Sequence, residues 1–159
     1  MEFTIKSIGK VRADDNGTRL ELEKEYTPAL TKLAEFGHIF VLFWFHKLDD
    51  PASRSKLVEK SPYKDAPELL GTFATRSPQR PNPIGMTCCA VTFVDMEKGV
   101  IGLEYIDVLD GTPVLDIKPY TPSLDRVENP SVPAWCAGWP KSLEESGEFD
   151  WSSVFTFDS

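Results

Sequence analysis

Short stretches of alternating apolar and polar residues are the main pattern in the first part of the chain. Phe3 to Val11 and Arg19 to Glu23 alternate loosely, and the turn residues Asp14 to Gly17 lie between them. Because Asn-Gly readily adopts positive φ, this arrangement predicts a β-hairpin. The run from His38 to His46 is almost continuously apolar, aromatic or β-branched. That composition predicts a central strand buried on both faces.

Further short strands follow later in the chain. Thr87 to Asp95 and Val100 to Leu109 have strand character, and the turn residues 96–99 separate them. A turn at Asp110-Gly111 then leads into Val114 to Ile117. Successive short strands joined by tight turns predict a mainly β fold, an antiparallel sheet rolled into a β-barrel.

Helical signals are few. The clearest covers Thr27 to Phe36, where Thr27 suits the N-cap, Pro28 the first helical position and Gly37 a left-handed C-terminal cap. A shorter helix is predicted within Ala52 to Glu59. We therefore expect one or two short helices beside the barrel.

The predicted domain organisation is simple. A chain of 159 residues is long enough for one domain with a substantial core. We assign residues 1–125 to the barrel. Residues 126–159 are irregular and rich in proline and tryptophan, and they are predicted to form a tail that packs on the same domain.

Composition indicates a soluble protein. No apolar run approaches membrane-spanning length, and the first residues do not resemble a signal peptide. Three cysteines make no disulfide framework, so a cytoplasmic location with reduced thiols is expected. The formal net charge of −8 counts against a nucleic-acid partner. Lysine and arginine residues are concentrated between Lys47 and Arg80, however, so a local basic face that binds nucleic acid is still compatible with the sequence.

Several common functional motifs are absent from the sequence. It has no Gly-x-Gly-x-x-Gly, Cys-x-x-Cys, Gly-Lys-Ser/Thr or Gly-x-Ser-x-Gly. The sequence therefore gives no motif evidence for four common kinds of site: a Rossmann cofactor site, a structural metal site, a phosphate-binding loop and a serine hydrolase site. We predict no metal site.

The segment from Gly71 to Gly85 carries Pro78, Pro81 and Pro83 within six residues. Each proline fixes φ and removes a backbone donor, so the segment is predicted to be a stiff, extended loop. This loop is expected to present its polar side chains outward, namely Arg76, Arg80 and Asn82. The guanidinium groups suit a carboxylate or phosphate, but residue types alone allow equally well that they are solvated or paired with acids.

Two motifs favour a ligand-binding role for this loop. Thr75-Arg76-Ser77-Pro78 followed by Arg80 to Gly85, together with Asp110 to Tyr120, resembles the signature of the TrmO (TsaA-like) family. This resemblance implies a β-barrel, S-adenosylmethionine-dependent methyltransferase that acts as a homodimer. The implied substrate is tRNA, at the N6 of threonylcarbamoyladenosine next to the anticodon.

The resemblance also implies cofactor contacts, which we assign to His46, Lys47, Arg80, Asp110, Gly111, Thr112 and Pro113. Family members usually have Gln where this chain has Lys47. They also have a Pro-Arg-Gln-like segment near the cofactor, which the turn at Asp14 to Gly17 replaces here. Larger members carry an additional C-terminal domain thought to help hold tRNA.

Catalytic and substrate-binding residues are predicted as well. Asp116, Lys118 and Tyr120 alternate along one predicted strand and would share a face. There Asp116 can accept a proton, Lys118 can bind phosphate or the threonyl carboxylate, and Tyr120 can stack on a base. Asn82 is assigned to the adjoining loop or an adenine edge, and Arg76 to the substrate. A surface ladder in which Asp116 and Lys118 are simple neighbours is equally consistent.

Two rival functions remain open on this sequence. The first is a methyltransferase with the same cofactor site acting on a small molecule or a protein. The second is a barrel that binds S-adenosylmethionine as a sensor without catalysis. A basic groove beside the loop from Arg76 to Arg80 would favour RNA, whereas a closed, narrow pocket would favour a small substrate.

Overall fold

A computed structural model describes residues 2–156 of the chain, which divide into two units. Within the described residues, the barrel unit comprises residues 2–55 and 78–126, and the second unit comprises residues 56–77 and 127–156. The strands are β1 (Gly9–Asp14), β2 (Gly17–Leu22), β3 (His38–Trp44), β4 (Val58–Lys60), β5 (Leu69–Gly71), β6 (Ile84–Asp95), β7 (Val100–Leu103) and β8 (Pro113–Pro119). The α-helices are short: α1 (Pro51–Arg54), α2 (Pro122–Asp125) and α3 (Leu143–Glu148).

Six strands close into an antiparallel barrel in the order β1-β2-β7-β6-β3-β8. The predicted hairpin forms between β1 and β2, and Gly17 takes the positive φ of 98° that its turn requires. Alternate residues of each strand point inward and bury the core, which includes the fully buried Val11, Leu20, Ile39, Val41, Ile101 and Val114. The prediction of a mainly β, antiparallel barrel with a few short helices is confirmed.

The prediction that β3 is buried on both faces is wrong. Ile39, Val41 and Phe43 are buried, whereas the intervening residues are only half-buried. The strand pairs with β6 on one side and β8 on the other, so its backbone is central in the sheet. In a barrel, however, one face of every strand points inward and the other outward. The outer face of β3 is therefore apolar without being part of the core.

The prediction of a single helix from Thr27 to Phe36 is also wrong. Two 3₁₀ segments, Lys24–Leu30 and Leu33–Glu35, replace it, and Lys32 between them has a left-handed φ of 70°. Gly37, predicted to be a left-handed cap, is not among the glycines with positive φ. Leu30 is nevertheless buried in the barrel core, so the segment packs one apolar side chain there.

The second predicted helix is shorter than expected. It spans only α1, where the Asp50 carboxylate accepts hydrogen bonds from the backbone amides of Ala52 and Ser53. The later part of the predicted segment forms β4, which pairs with β5 as a two-stranded sheet in the second unit.

Aromatic contacts hold the second unit together. Tyr63 stacks on Trp135 with ring centroids 5.2 Å apart and meets the edge of Trp139 at 4.9 Å. The backbone amide of Lys64 donates to the carbonyl of Val154 at 2.9 Å. Residues 56–77 therefore belong with the C-terminal residues of the described chain. The packing of the tail on the barrel remains a prediction.

Candidate functional site

A cavity of about 300 Å³ opens in the barrel unit. Three segments contribute its walls: the residues after β3, Pro78 of the proline loop and the connection between β7 and β8. Most of the lining is apolar, and the charged side chains are few. The lining residues are Phe45, His46, Lys47, Leu48, Pro78, Asp107, Val108, Leu109 and Thr112.

The segment after β3 is fixed by the proline loop. The amide of Phe45 donates to the carbonyl of the buried Pro83 at 2.7 Å. The amides of His46 and Leu48 donate to the carbonyls of Trp44 and Phe45 at 2.8 and 2.9 Å, so the chain turns tightly here. This turn places His46 and Lys47 on the cavity wall.

Packing beneath the cavity depends on a glycine. A Cβ at Gly85 would lie 2.2 Å from the ring of Phe43, so only glycine lets that ring occupy its place. The Phe43 ring in turn meets the edge of Phe45 with centroids 5.2 Å apart, and Phe45 lines the cavity. The Ile-Gly that ends the proline motif therefore supports the cavity wall from below.

A second set of contacts, made by Arg54, holds the proline loop in place. Arg54 donates to the carboxylate of Asp49 and, at 3.3 Å, to the carbonyl of Pro81. The Trp44 indole donates to the same carboxylate at 2.9 Å, and the Arg54 guanidinium lies 5.5 Å from the Trp44 ring centroid. The hydrogen bonds from Arg54 and Trp44 lower the pKa of Asp49. In the sequence Arg54 is only one of several bases, and this role was not predicted.

The connection from β7 to β8 is tied to β1. The amide of Gly111 donates to the carbonyl of Val11 at 2.9 Å, and the amide of Val11 donates to the carbonyl of Thr112 at 2.8 Å. Gly111 has a φ of 78°, a left-handed conformation that glycine adopts without strain. Thr112 is buried in the cavity wall.

Two acids of this connection differ in their environment. The carboxylate of Asp110 accepts hydrogen bonds from Arg12 Nη1 and from the amide of Ala13, both at 3.1 Å. Asp107 instead lies on the cavity wall. Burial raises the pKa of Tyr105, and the charge of Asp107 adds to that rise. Asp107 was not predicted, because a lone Asp in a loop carries no signal of its own.

The structure brings together only part of the predicted cofactor set. His46, Lys47 and Thr112 line the cavity, and Pro78 of the proline loop joins them. The other predicted cofactor residues do not line the cavity. Asp110, Gly111 and Pro113 are neighbours of Thr112 in the sequence, and Arg80 is half-buried.

The predicted catalytic residues lie elsewhere on the barrel. Asp116 and Lys118 face outward on β8, opposite Leu42 and Phe40 of β3, and form an ion pair of 2.8 Å. The hydrogen bond from Lys118 to Asp116 raises the pKa of Lys118. The ring of Tyr120 packs 5.9 Å from that of Phe40. The three residues thus share one neighbourhood as predicted, but they do not line the cavity.

The two remaining predicted residues are exposed. Asn82 lies in the barrel unit, where its carbonyl accepts from the amide of Ile84 at 2.7 Å. Arg76 belongs to the second unit. Among residues 2–156, no group of three or more His, Cys, Asp or Glu side chains is arranged to hold a metal. No helix in the same range is long and apolar enough to cross a membrane.

Comparison with known proteins identifies relatives of the chain. Residues 9–126 match the family model of the tRNA-methyltransferase O N-terminal domain. An S-adenosyl-L-methionine-binding protein of Archaeoglobus fulgidus is 40% identical over 116 residues, which cover 73% of this chain and 78% of that protein. The human tRNA (adenine(37)-N6)-methyltransferase is 41% identical over 105 residues, which cover 66% of this chain and 23% of that protein.

Solved structures agree with the sequence comparison. The crystal structure of TrmO from Pseudomonas aeruginosa superposes with a TM-score of 0.62 at 32% identity. The match covers 82% of this chain and 62% of that one. The chain thus spans less than two thirds of the TrmO structure and about a quarter of the human protein.

Proposed function

Because this chain belongs to the tRNA-methyltransferase O N-terminal domain family, we propose that it is an S-adenosylmethionine-dependent methyltransferase acting on tRNA. The proposed acceptor is the N6 of threonylcarbamoyladenosine next to the anticodon. The names of the human and archaeal relatives support the adenine target and the cofactor, respectively. The family resemblance supports the threonylcarbamoyl group.

One observation carries the proposal. The cavity joins the segments that the sequence motifs predict to be functional, namely the end of the central strand, the proline loop and the Asp-Gly-Thr-Pro turn. These segments are far apart in the sequence, and all of the lining residues fall within the family match. A cavity of about 300 Å³ is at the lower end of the range for small-molecule sites.

The chemistry of the lining fits S-adenosylmethionine. The apolar walls, formed by residues such as Phe45 and Leu109, suit the adenine ring. Lys47 and His46 offer donors for the cofactor carboxylate. Asp107 is the carboxylate on the wall, and its negative charge favours a sulfonium cation. The predicted contact of Arg80 is retained as a proposal.

When bound, S-adenosylmethionine supplies an electrophilic methyl group on its sulfonium centre. The residues of this chain contribute positioning and charge. Hydrogen bonds fix two segments of the cavity wall, the turn after β3 and the loop tied to β1, so the site is preorganised. The proposed acceptor nitrogen must also lose a proton. Asp116 stays the proposed acceptor of that proton, although it pairs with Lys118 outside the cavity. Substrate contacts of Arg76, Lys118, Tyr120 and Asn82 likewise remain proposals.

The proposal includes a homodimer in the cytoplasm, as the family resemblance implies. Light scattering of the purified chain measures the assembly directly. A mass of two chains supports this part of the proposal, and a mass of one chain contradicts it.

The central experiment is transfer of a labelled methyl group. The protein is incubated with methyl-labelled S-adenosylmethionine and tRNA, and the tRNA is digested to nucleosides and separated by chromatography. Label should elute with the N6-methylated threonylcarbamoyl nucleoside. Matched tRNA without the threonylcarbamoyl group should stay unlabelled. Label in adenosine of both tRNAs would contradict the proposed acceptor while leaving the methyltransferase in place.

A second candidate function is favoured by the net charge of −8. The same cofactor site would then serve a small-molecule or protein acceptor, or bind without catalysis. If the protein binds the cofactor but leaves every tRNA unlabelled, this second candidate is supported. Label in the small-molecule or protein fraction of a cell extract then separates transfer from simple binding.

A further inference from the structure

Among residues 56–77 and 127–156, the second unit has several large apolar residues that are exposed. We call four of them the apolar platform: Leu57, Val58, Leu69 and Phe73. Phe73 is the extreme case, with 83% of its surface exposed. In the register of the two-stranded sheet, Val58 lies opposite Gly71, which has no side chain, and Leu69 lies opposite Lys60. Val58 and Leu69 therefore share one face of this sheet, and large exposed apolar groups indicate an interaction surface.

The aromatic ring of the platform is presented by a fixed turn. Phe73 is the middle residue of the 3₁₀ turn Thr72–Ala74. The buried Thr72 donates from its hydroxyl to the carbonyl of Lys56 at 2.8 Å, and its amide donates to the carbonyl of Leu57 at 3.0 Å. Thr75, which follows the turn, donates to the carboxylate of Glu59 at 2.8 Å. The backbone is therefore held on both sides while the phenyl ring points to solvent.

Cations accompany the platform. Residues 56–77 of the second unit hold four bases and three acids, whereas residues 127–156 hold one base and five acids. Lys56 and Lys60 are exposed. Lys60 is directly opposite the exposed Leu69, so positive charge and apolar surface are interleaved on one small sheet.

We propose that the apolar platform binds a single-stranded part of the RNA substrate, with a base stacked on Phe73 and phosphates held by Lys56 and Lys60. This inference rests on the proposed function and names the surface that would hold its substrate. An exposed aromatic ring beside cations matches how proteins bind single strands, because each base offers a stacking face and each phosphate a negative charge. In a chain with a net charge of −8, Lys56 and Lys60 supply local positive charge that attracts RNA phosphates.

The test uses fluorescence anisotropy with a labelled anticodon stem-loop RNA. Phe73→Ala should weaken binding about tenfold, as expected for the loss of one base stacked on an aromatic ring. Phe73→Trp should restore it. Phe3→Ala is the matched control, because Phe3 is 81% exposed in the barrel unit. It should bind RNA as the wild type does.

Salt dependence tests the phosphate contacts. Lys60→Gln should reduce the slope of log affinity against log salt by about 0.7, the value for one phosphate contact to a single strand. Lys24→Gln, an exposed lysine of the barrel unit, should leave the slope unchanged. Both variants should keep the wild-type affinity for S-adenosylmethionine, which reports on the cavity independently.

The outcomes separate this inference from the proposed function. If the wild type methylates tRNA and Phe73→Ala binds RNA equally well, the platform proposal is overturned and the function stands. If the wild type binds S-adenosylmethionine but neither binds nor methylates RNA, both fail. If Phe73→Ala changes the mass in light scattering and leaves RNA affinity intact, the platform is a contact between copies of the chain and the RNA proposal is overturned.

Discussion

The carboxylate of Asp110 is bound by Arg12 and by the backbone amide of Ala13, each at 3.1 Å. The acid of the Asp-Gly-Thr-Pro motif therefore has partners on β1. Asp107, three residues earlier, is the acid that lines the cavity. From this difference we infer that Asp110 positions the loop and that Asp107 supplies the negative charge at the proposed cofactor site.

Asp107→Asn should weaken S-adenosylmethionine binding about tenfold, because a charge-assisted interaction with the cationic cofactor contributes about 1.5 kcal/mol. Asp110→Asn should have a different effect. It should lower the melting temperature, since it weakens the tie to Arg12, and any loss of affinity should accompany that loss of stability. Calorimetric titration and thermal unfolding of both variants distinguish the two roles. Equal affinity of Asp107→Asn and the wild type would contradict the assignment.

Gly111→Ala should destabilise the fold by about 1–2 kcal/mol, because φ is 78° there and the left-handed region is unfavourable for alanine. A Cβ at Gly111 would have nothing within 4 Å of it, so the effect is conformational and not steric. Gly37→Ala is the control: its surroundings are equally open and its φ is not positive. Urea unfolding of both variants measures the difference, and equal stability of the two would argue against strain at Gly111.

Gly85→Ala should disturb the cavity from beneath. Its Cβ would lie 2.2 Å from the ring of Phe43, and overpacking of this kind typically costs about 1–3 kcal/mol. Because Phe43 packs on Phe45 in the cavity wall, affinity for S-adenosylmethionine should fall as well. The double variant with Phe43→Leu should recover part of the stability. No recovery would show that the clash with Phe43 is not the cause.

Arg54→Ala should change how stability depends on pH. The hydrogen bonds from Arg54 and Trp44 lower the pKa of Asp49, so this carboxylate stabilises the fold above its unfolded pKa. That contribution is lost as the pH falls through the lower pKa of the folded state. The melting temperature of Arg54→Ala should therefore lie below that of the wild type at neutral pH, and the gap should narrow in acid.

The control for this prediction is Lys32→Ala, which removes an exposed pair with Glu35. Such exposed pairs contribute little, about 0–1 kcal/mol, so its melting curve should follow the wild type at every pH. A gap between Arg54→Ala and the wild type that stays constant from neutral pH into acid would contradict the role of Asp49.

Local patterns were enough to predict the barrel. Val11 and Leu20 alternate with polar neighbours on β1 and β2, and Gly17 marks the turn between them, so strand, face and connection could all be inferred. The prediction of a helix from Thr27 to Phe36 was wrong because it used only local sequence signals, whereas tertiary contacts determine the structure of this segment. Burial of Leu30 in the barrel core and the left-handed Lys32 divide the segment into two 3₁₀ pieces.

Part of the candidate site could be predicted from the sequence motifs. His46, Lys47 and Thr112 were inferred from the family resemblance and do line the cavity. The position of Asp107 in the cavity wall and the hydrogen bond from Arg54 to Pro81 depend on tertiary contacts, which sequence spacing does not reveal. The same holds for Phe73, whose exposure follows from hydrogen bonds made by Thr72 and Thr75.

The most direct test of the central claim is a calorimetric titration of S-adenosylmethionine into the wild type, His46→Ala and Lys118→Ala. We expect clear binding to the wild type and to Lys118→Ala, whose side chain pairs with Asp116 outside the cavity. Binding to His46→Ala should be about tenfold weaker, as for the loss of one hydrogen bond to a charged group. Absence of binding to the wild type, or equal affinity of all three proteins, would contradict the claim that this cavity holds the cofactor.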